Sequence, residues 1–218
     1  MSSASDSTDA AAKRERRVEL LGTILLAVAA VATAWSTSES TRWRVEQTRA
    51  SGKANTARTQ SSEAFSRAGQ LTQVDIATFV QWVDATVGGK PELARFYRER
   101  FRPEFKPAFN AWLARRPLTN PGAPLTPFAM PQYRVAEAVK SERLTAVAQV
   151  HSAAGDKDLQ HADDYLLALV LFATSLFFAA IATKIRSLGQ REVLLALGWV
   201  IFIGTAVWTL TLPVTLSV

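Results

Sequence analysis

The sequence predicts an all-α membrane protein with three transmembrane helices and a long helical-hairpin, coiled-coil-like soluble domain inserted between spans 1 and 2. Three apolar runs, at 18–35, 165–183 and 193–213, carry no charge in their interiors. Each has about the 20 residues that a helix needs to cross a bilayer. The 218-residue chain is 48% hydrophobic and 20% charged, and the charge lies almost wholly outside these runs. This segregation is typical of a multi-pass membrane protein.

Two short segments set the predicted orientation. Residues 1–17 are expected to form a disordered tail that is basic next to the membrane, and the loop 184–192 is also basic. Because Lys and Arg collect in short cytoplasmic segments, we expect the N-terminus in the cytoplasm and the middle domain and C-terminus outside. A cleaved signal peptide is the alternative interpretation of the first run, but this run is longer than the apolar stretch of a normal signal peptide.

Aromatic residues stand at three predicted helix ends. Trp35, Tyr165 and Trp208 fall at the ends that would share the outer membrane interface. Amphipathic aromatic rings are enriched at that depth, so we expect these residues to act as membrane-interface anchors.

The middle domain, 36–164, begins with a predicted long helix over 40–87, which contains no proline. A heptad of mainly small residues fits this helix, and such a row allows close helix pairing. Its two positions hold Trp43, Ala50, Ala57, Ala64 and Leu71, and Gln47, Ala54, Ser61, Ala68, Asp75 and Trp82. A second heptad is predicted on a helix over 132–154, with Val139, Ala146 and Ala153 in one position and Ala136, Arg143 and Val150 in the other.

The segment between these helices is rich in proline. Gly88-Gly89 should end the long helix, and two short helices over 91–115 should meet near Pro103. Residues 117–131 are predicted to be an extended Pro-rich loop. Gly155-Asp156 is the expected position of a break or bend before the second span.

Four segments of the middle domain resemble those of a known protein family: 68–79, 96–109, 117–121 and 127–131. With them, nearly the whole chain resembles a family of uncharacterised bacterial three-span inner-membrane proteins. The resemblance implies a bacterial inner-membrane location and the same helical plan. It implies no activity, because the family has no assigned function.

Phe101, Phe105, Phe109 and Trp112 form an aromatic stripe interleaved with basic residues. The stripe has three interpretations: core packing against the long helices, a surface for a partner protein, or contact with lipid or nucleic acid. Core packing is the commoner use of such a stripe. If the stripe has a function beyond core packing, we predict that it is a surface for a partner protein.

Several kinds of chemistry are disfavoured. The chain has no cysteine, and it contains no phosphate-binding glycine loop, zinc-protease helix or nucleophile elbow, so we expect no enzyme, no catalytic residue and no cofactor. Asp158, His161 and Asp164 share a broad helix face. Solvated acidic residues at the point where a helix enters the membrane explain them better than a metal site does. The small positive excess of the middle domain does not indicate nucleic acid.

Two functions remain. The first is a membrane-anchored helical scaffold or sensor-like protein in the bilayer, acting through a protein partner or as a homo-oligomer, because the long helix has a small-residue row and the spans hold no interior charge. The alternative is an oligomeric membrane channel without buried charged residues, with tension as one way to gate it. Intramembrane charge usually marks transport pathways, so its absence favours the scaffold.

Overall fold

The computed structural model describes residues 2–117 and 119–215, with side chains from Lys13 onward. The chain divides into two compact units. Met1–Ser51 and Ala153–Val218 form one, called here the apolar-helix unit, and Gly52–Ser152 form the other, called the central unit. Leu118 of the predicted Pro-rich loop lies outside the described residues.

Five α-helices account for most of the described chain. They are α1 (Ser2–Val87), α2 (Pro91–Glu99), α3 (Lys106–Leu113), α4 (Ala136–Ala182) and α5 (Leu188–Thr209), with a 3-10 turn over Pro127–Ala129. Within the described ranges there is no strand. α1, α4 and α5 contain stretches long and apolar enough to cross a membrane. The prediction of an all-helical chain with three such helices is confirmed.

Helix boundaries differ from the prediction at two places. α1 already begins at Ser2, so residues 2–17 are helical rather than a separate disordered tail. α4 continues through Gly155-Asp156 without a break. A Cβ atom on Gly155 would lie 3.4 Å from the Cβ of Ala50, so the glycine permits close approach of α1 and α4 instead of ending a helix.

In the apolar-helix unit, α1 and α5 run parallel and α4 runs antiparallel to both. The three helices meet at Gly198 of α5, where an added Cβ would lie 3.0 Å from Leu25 Cδ2 and 3.5 Å from Phe178 Cβ. Ser175 of α4 donates a hydrogen bond to the Gly198 carbonyl at 2.9 Å. Small residues therefore set the distance between these helices, as is common where helices pack in membranes.

The outer surface of this unit is apolar. On α5 the exposed row recurs at helical spacing and consists of Val193, Leu197, Val200, Ile203 and Val207. Leu20, Ile24 and Val31 on α1 and Leu166, Val170 and Phe177 on α4 are also exposed. A helix bundle in water would hide such side chains, whereas a bundle in lipid has no reason to do so.

Polar contacts join α5 to α1 on both sides of Gly198. Arg14 makes a salt bridge with Glu192 near the start of α5. Beyond the end of α5, the backbone N–H and the hydroxyl of Thr215 both donate to Glu39 Oε2, at 3.1 and 2.8 Å. Glu39 is buried, and Arg42 donates to its other oxygen, Oε1, at 3.3 Å, so the three donors satisfy a carboxylate that water cannot reach.

In the central unit, α1 and α4 pack as an antiparallel pair. Ser61 of α1 donates to the Ser141 carbonyl of α4 at 2.9 Å, and Arg58 donates to Ser152 at 3.2 Å. The predicted α1 row is buried or half-buried at every position along the helix. Small side chains on both helices bring their backbones close together.

The heptad predicted on α4 lies on the exposed face of the helix, so this prediction is wrong. All six of its residues, Ala136, Val139, Arg143, Ala146, Val150 and Ala153, are exposed. The buried positions of α4 in the central unit are instead Ser141 and Ala148. The helix has apolar residues on two opposite faces, and the valines of the outer face give a stronger pattern than the small residues of the inner one.

α1 ends in a glycine cap that turns the chain towards α2. Gly89 has φ +65°, in the left-handed region that glycine adopts without strain. The Lys90 N–H bonds to the Ala85 carbonyl at 2.9 Å, which completes a Schellman motif. Pro91 starts α2, and Pro103 lies in the connection between α2 and α3.

Candidate functional site

The central unit is built around an aromatic cluster. α1 contributes Phe79 and Trp82, and α3 and the connection before it contribute Phe101, Phe105, Phe109 and Trp112. The rings pack mainly edge to face; the centroids of Trp82 and Phe109 lie 4.8 Å apart with their planes at 84°. Each such pair stabilises by about 0.5–1.5 kcal/mol beyond its burial.

The predicted partner surface lies inside this cluster. Phe101, Phe105, Phe109 and Trp112 are each at most 4% exposed. They therefore offer no surface to another protein in this structure, and core packing is the arrangement observed. The four residues share one cluster but not one helix face, because Phe101 and Phe105 precede α3, and their recurrence cannot tell whether α1 covers them.

An apolar cavity of about 380 Å³ opens beside the cluster. Its walls come from the end of α1, from α3 and from the Pro-rich loop, and they include Phe79, Trp82, Trp112, Pro121, Pro124 and Leu125. The Trp112 indole N–H donates to the Pro124 carbonyl at 2.7 Å, which fixes the loop over α3. The volume and the aromatic lining are those of a small-molecule pocket.

A second cavity, of about 440 Å³, adjoins the first along Trp82 and Thr86. Its remaining walls belong to the turn after α1 and to α2, and they carry Lys90, Arg95 and Arg98. Arg95 is paired with Glu92, whereas Lys90 and Arg98 have no carboxylate within 4.0 Å among the described side chains. The pair of cavities thus has an apolar part and a basic part.

A buried ionic network holds the segments around these cavities together. Asp75 of α1, with a fully buried side chain, accepts hydrogen bonds from Arg102 Nη1 at 2.9 Å and from the Tyr133 hydroxyl at 3.1 Å. Arg102 also pairs with Glu104. The other Asp75 oxygen, Oδ1, has no hydrogen-bond partner among the described residues. α1, the α2–α3 connection and the segment before α4 are therefore linked through one carboxylate.

The network also shifts two pKa values. Burial raises the pKa of the Asp75 carboxyl above its ordinary value, although the positive charge of Arg102 acts in the opposite direction. Burial likewise raises the pKa of the Tyr133 phenol, which keeps that hydroxyl a hydrogen-bond donor. The structural role of Asp75 is only hinted at in the sequence, by a carboxylate in a row of small and apolar residues.

The predicted membrane-interface anchors have different environments. Trp35 is 38% exposed, and its ring packs edge to face on Tyr165 at 5.6 Å. Tyr165 is fully buried and donates to the Pro213 carbonyl at 3.1 Å. It therefore packs inside the bundle and does not face lipid headgroups. The sequence could not show this, because a polar ring at a helix end suits either role. Trp208 is half-buried near the end of α5.

The acidic segment of α4 does not assemble a metal site. Within the described part of the chain, no group of three or more His, Cys, Asp or Glu residues has the geometry to hold a metal ion. The His161 ring packs on Trp43 at 4.7 Å, and Asp163 pairs with Arg44 at 3.4 Å. These residues hold α4 against α1.

Glu39 is a buried carboxylate that the sequence pattern misses. It lies four residues beyond Trp35, where the prediction expects a solvated helix surface. Its only sequence signal is the neighbouring pair of small polar residues, Ser36 and Ser40, which are also buried.

Comparisons with protein-family models, with curated proteins and with solved structures each found no match to the chain. The chemistry of its own residues is therefore the basis for assigning it a role.

Proposed function

We propose that this protein is a membrane-anchored helical scaffold or sensor-like protein whose central unit binds a second copy of the chain or another protein. α1, α4 and α5 would span the bilayer, with the central unit as a domain inserted between the first and second spans. The observation that carries the proposal is the outward-facing apolar row of α4, which we call the outer row: Val139, Ala146 and Val150.

The outer row has the spacing of a helix-pairing surface. Its residues recur at intervals of seven and four, and Val150 is 69% exposed. Phe65, 70% exposed, together with Ile76 and Val80, adds an apolar strip on α1. In a domain outside the membrane, a partner usually covers such a row. Apolar residues that are exposed singly do not normally recur at helical spacing.

Cysteine crosslinking tests this proposal directly, because the natural chain has no cysteine. With Val150→Cys as the sole thiol, we expect a bismaleimide to form a covalent dimer of the protein diluted in lipid nanodiscs or membranes. Lys140→Cys, on a flank of the same helix, is the matched control and should crosslink several-fold less. Adding Val139→Lys to Val150→Cys should abolish the dimer, because a charge would be buried in the interface.

One outcome would contradict the proposal, and another would favour the channel over the scaffold. Failure of Val150→Cys to dimerise, with no protein co-purifying from native membranes, would contradict it. A ring of several subunits that conducts ions under tension would favour the channel. The three apolar runs favour the scaffold, since they hold no charged side chain in their interiors and intramembrane charge usually marks a transport pathway.

We further propose that the protein resides in a bacterial inner membrane with its N-terminus and the 184–192 loop in the cytoplasm. The salt bridge between Arg14 and Glu192 supports a common side for these two basic segments. The central unit and the C-terminus would then lie outside.

Labelling in intact bacterial cells tests the orientation. A membrane-impermeant maleimide should modify Lys140→Cys directly, because Lys140 is exposed and lies outside the outer row, and it should modify Ser187→Cys only after the inner membrane is permeabilised. The reverse pattern would show that the central unit is cytoplasmic.

A further inference from the structure

The two adjoining cavities of the central unit differ in chemistry and share a wall. Trp82 and Thr86 line both. The first cavity is aromatic and proline-rich, and the second is bordered by cationic side chains. No feature of self-association requires this combination.

The polar groups in the wall of the first cavity are already engaged. Trp112 Nε1 donates to the Pro124 carbonyl, and Thr86 Oγ1 donates to the Trp82 carbonyl at 2.8 Å. Asn120 bonds to the Arg115 carbonyl and to the Gly122 N–H. An occupant therefore gains little from polar atoms here and most from burying an apolar body against the rings.

The second cavity has cationic side chains in its wall as well as apolar ones. Lys90 and Arg98 line it without carboxylate partners among the described residues, and the Arg98 guanidinium lies 5.9 Å from the centroid of the Phe109 ring. A guanidinium and an ammonium in one wall suit a carboxylate or a similar small anion.

We propose that the two cavities form one binding site for an amphipathic anion with a single chain or an aromatic body. The apolar part would lie among Trp82, Trp112 and Leu125, and the anionic group would pair with Lys90 and Arg98. The apolar volume of about 380 Å³ favours one chain over the two of a membrane phospholipid. This site is independent of the proposed self-association, so either can fail without the other.

Photo-crosslinking of the full-length protein in phosphatidylcholine nanodiscs tests the site. The probe is dodecanoate with a diazirine near its methyl end, and peptide mass spectrometry locates the adducts. We expect saturable labelling of the segments that contain Trp82 or Leu125, displaced by excess dodecanoate. The methyl ester of the probe should bind at least about tenfold more weakly, because it lacks the charge.

Variants separate the two parts of the site. Lys90→Gln with Arg98→Gln should weaken the acid probe about tenfold and leave the methyl ester unchanged, which also shows that the fold is intact. Arg100→Gln is the matched control, since Arg100 stacks on Phe96 and lines neither cavity. Thr86→Trp should abolish labelling by both probes, because the indole fills the shared wall.

Four results would overturn the proposal, and the first three concern the location of the adducts and the role of the charge. They are adducts confined to the apolar-helix unit, equal labelling by acid and ester, and unchanged affinity in the Lys90/Arg98 double variant. Displacement of the probe by phosphatidic acid in preference to dodecanoate would also overturn it, since it would assign the site to a two-chain lipid.

Discussion

Replacing Arg102 with methionine is expected to destabilise the central unit by about 3 kcal/mol at neutral pH. The variant keeps most of the apolar stem but leaves the fully buried Asp75 carboxylate without its cation. Removing one member of a buried ion pair is costly because the remaining charge has neither water nor a partner. Tyr133 would still donate to Asp75, but a single neutral donor does not replace the charge.

The loss should depend on pH in a defined direction. Burial raises the pKa of Asp75 already in the natural chain, and loss of the Arg102 charge should raise it further. A carboxyl with a raised folded-state pKa favours the folded state below its unfolded pKa, which is about 3.9, and this contribution is lost as the pH rises through the folded pKa. The deficit of Arg102→Met should therefore be smaller at pH 4 than at pH 7.

A double variant isolates the charge. Arg102→Met combined with Asp75→Asn should recover most of the stability at pH 7, because no buried charge remains and the amide oxygen can still accept from Tyr133. Arg100→Met is the control for losing an arginine and should cost less than about 1 kcal/mol. The measurement is urea-dependent hydrogen exchange of the α2 and α3 amides. If Asp75→Asn worsens Arg102→Met, the buried-charge explanation is wrong.

Gly198→Leu is expected to disrupt the apolar-helix unit. Even a Cβ at this position would lie 3.0 Å from Leu25 Cδ2, and the rest of a leucine would meet Phe178 and Ser175. Overfilling a packed interior costs about 1–3 kcal/mol, and more where a helix contact must open. Separating α4 from α5 would also break the hydrogen bond from Ser175 to the Gly198 carbonyl.

Gly204→Leu is the matched control for this change. It lies on the same helix, and a Cβ there would have no neighbour within 4 Å. Leucine is also the better helix former, so this variant should be neutral or slightly stabilising. Thermal unfolding in detergent, followed by far-ultraviolet circular dichroism, should show a midpoint roughly 5–10 °C lower for Gly198→Leu alone. Equal midpoints would show that the three helices do not pack closely at Gly198.

The sequence predicts the helices well because their signals are local. Apolar runs of sufficient length identify the three candidate spans, and Gly88-Gly89 followed by Pro91 correctly ends α1. The recurrence of Phe101, Phe105, Phe109 and Trp112 indicates that they pack together, although only Phe109 and Trp112 lie within α3. Each of these inferences needs only neighbouring residues and the geometry of a helix.

The remaining features depend on distant contacts. Choosing between the two faces of α4 requires knowing that α1 covers Ser141 and Ala148, and small residues give little hydrophobic signal. Gly155 looks like a break until Ala50 is seen beside it. The cavity beside Trp82 depends on how the Pro-rich loop folds back over α3, which no periodicity encodes.

The contacts of α5 with α1 restrict how these two helices can move. Arg14 holds the start of α5, Leu25 meets Gly198 at its middle, and Glu39 binds Thr215 beyond its end. Sliding α5 along α1, or turning it about its own axis, would break all three contacts together. The pair should therefore act as one mechanical element.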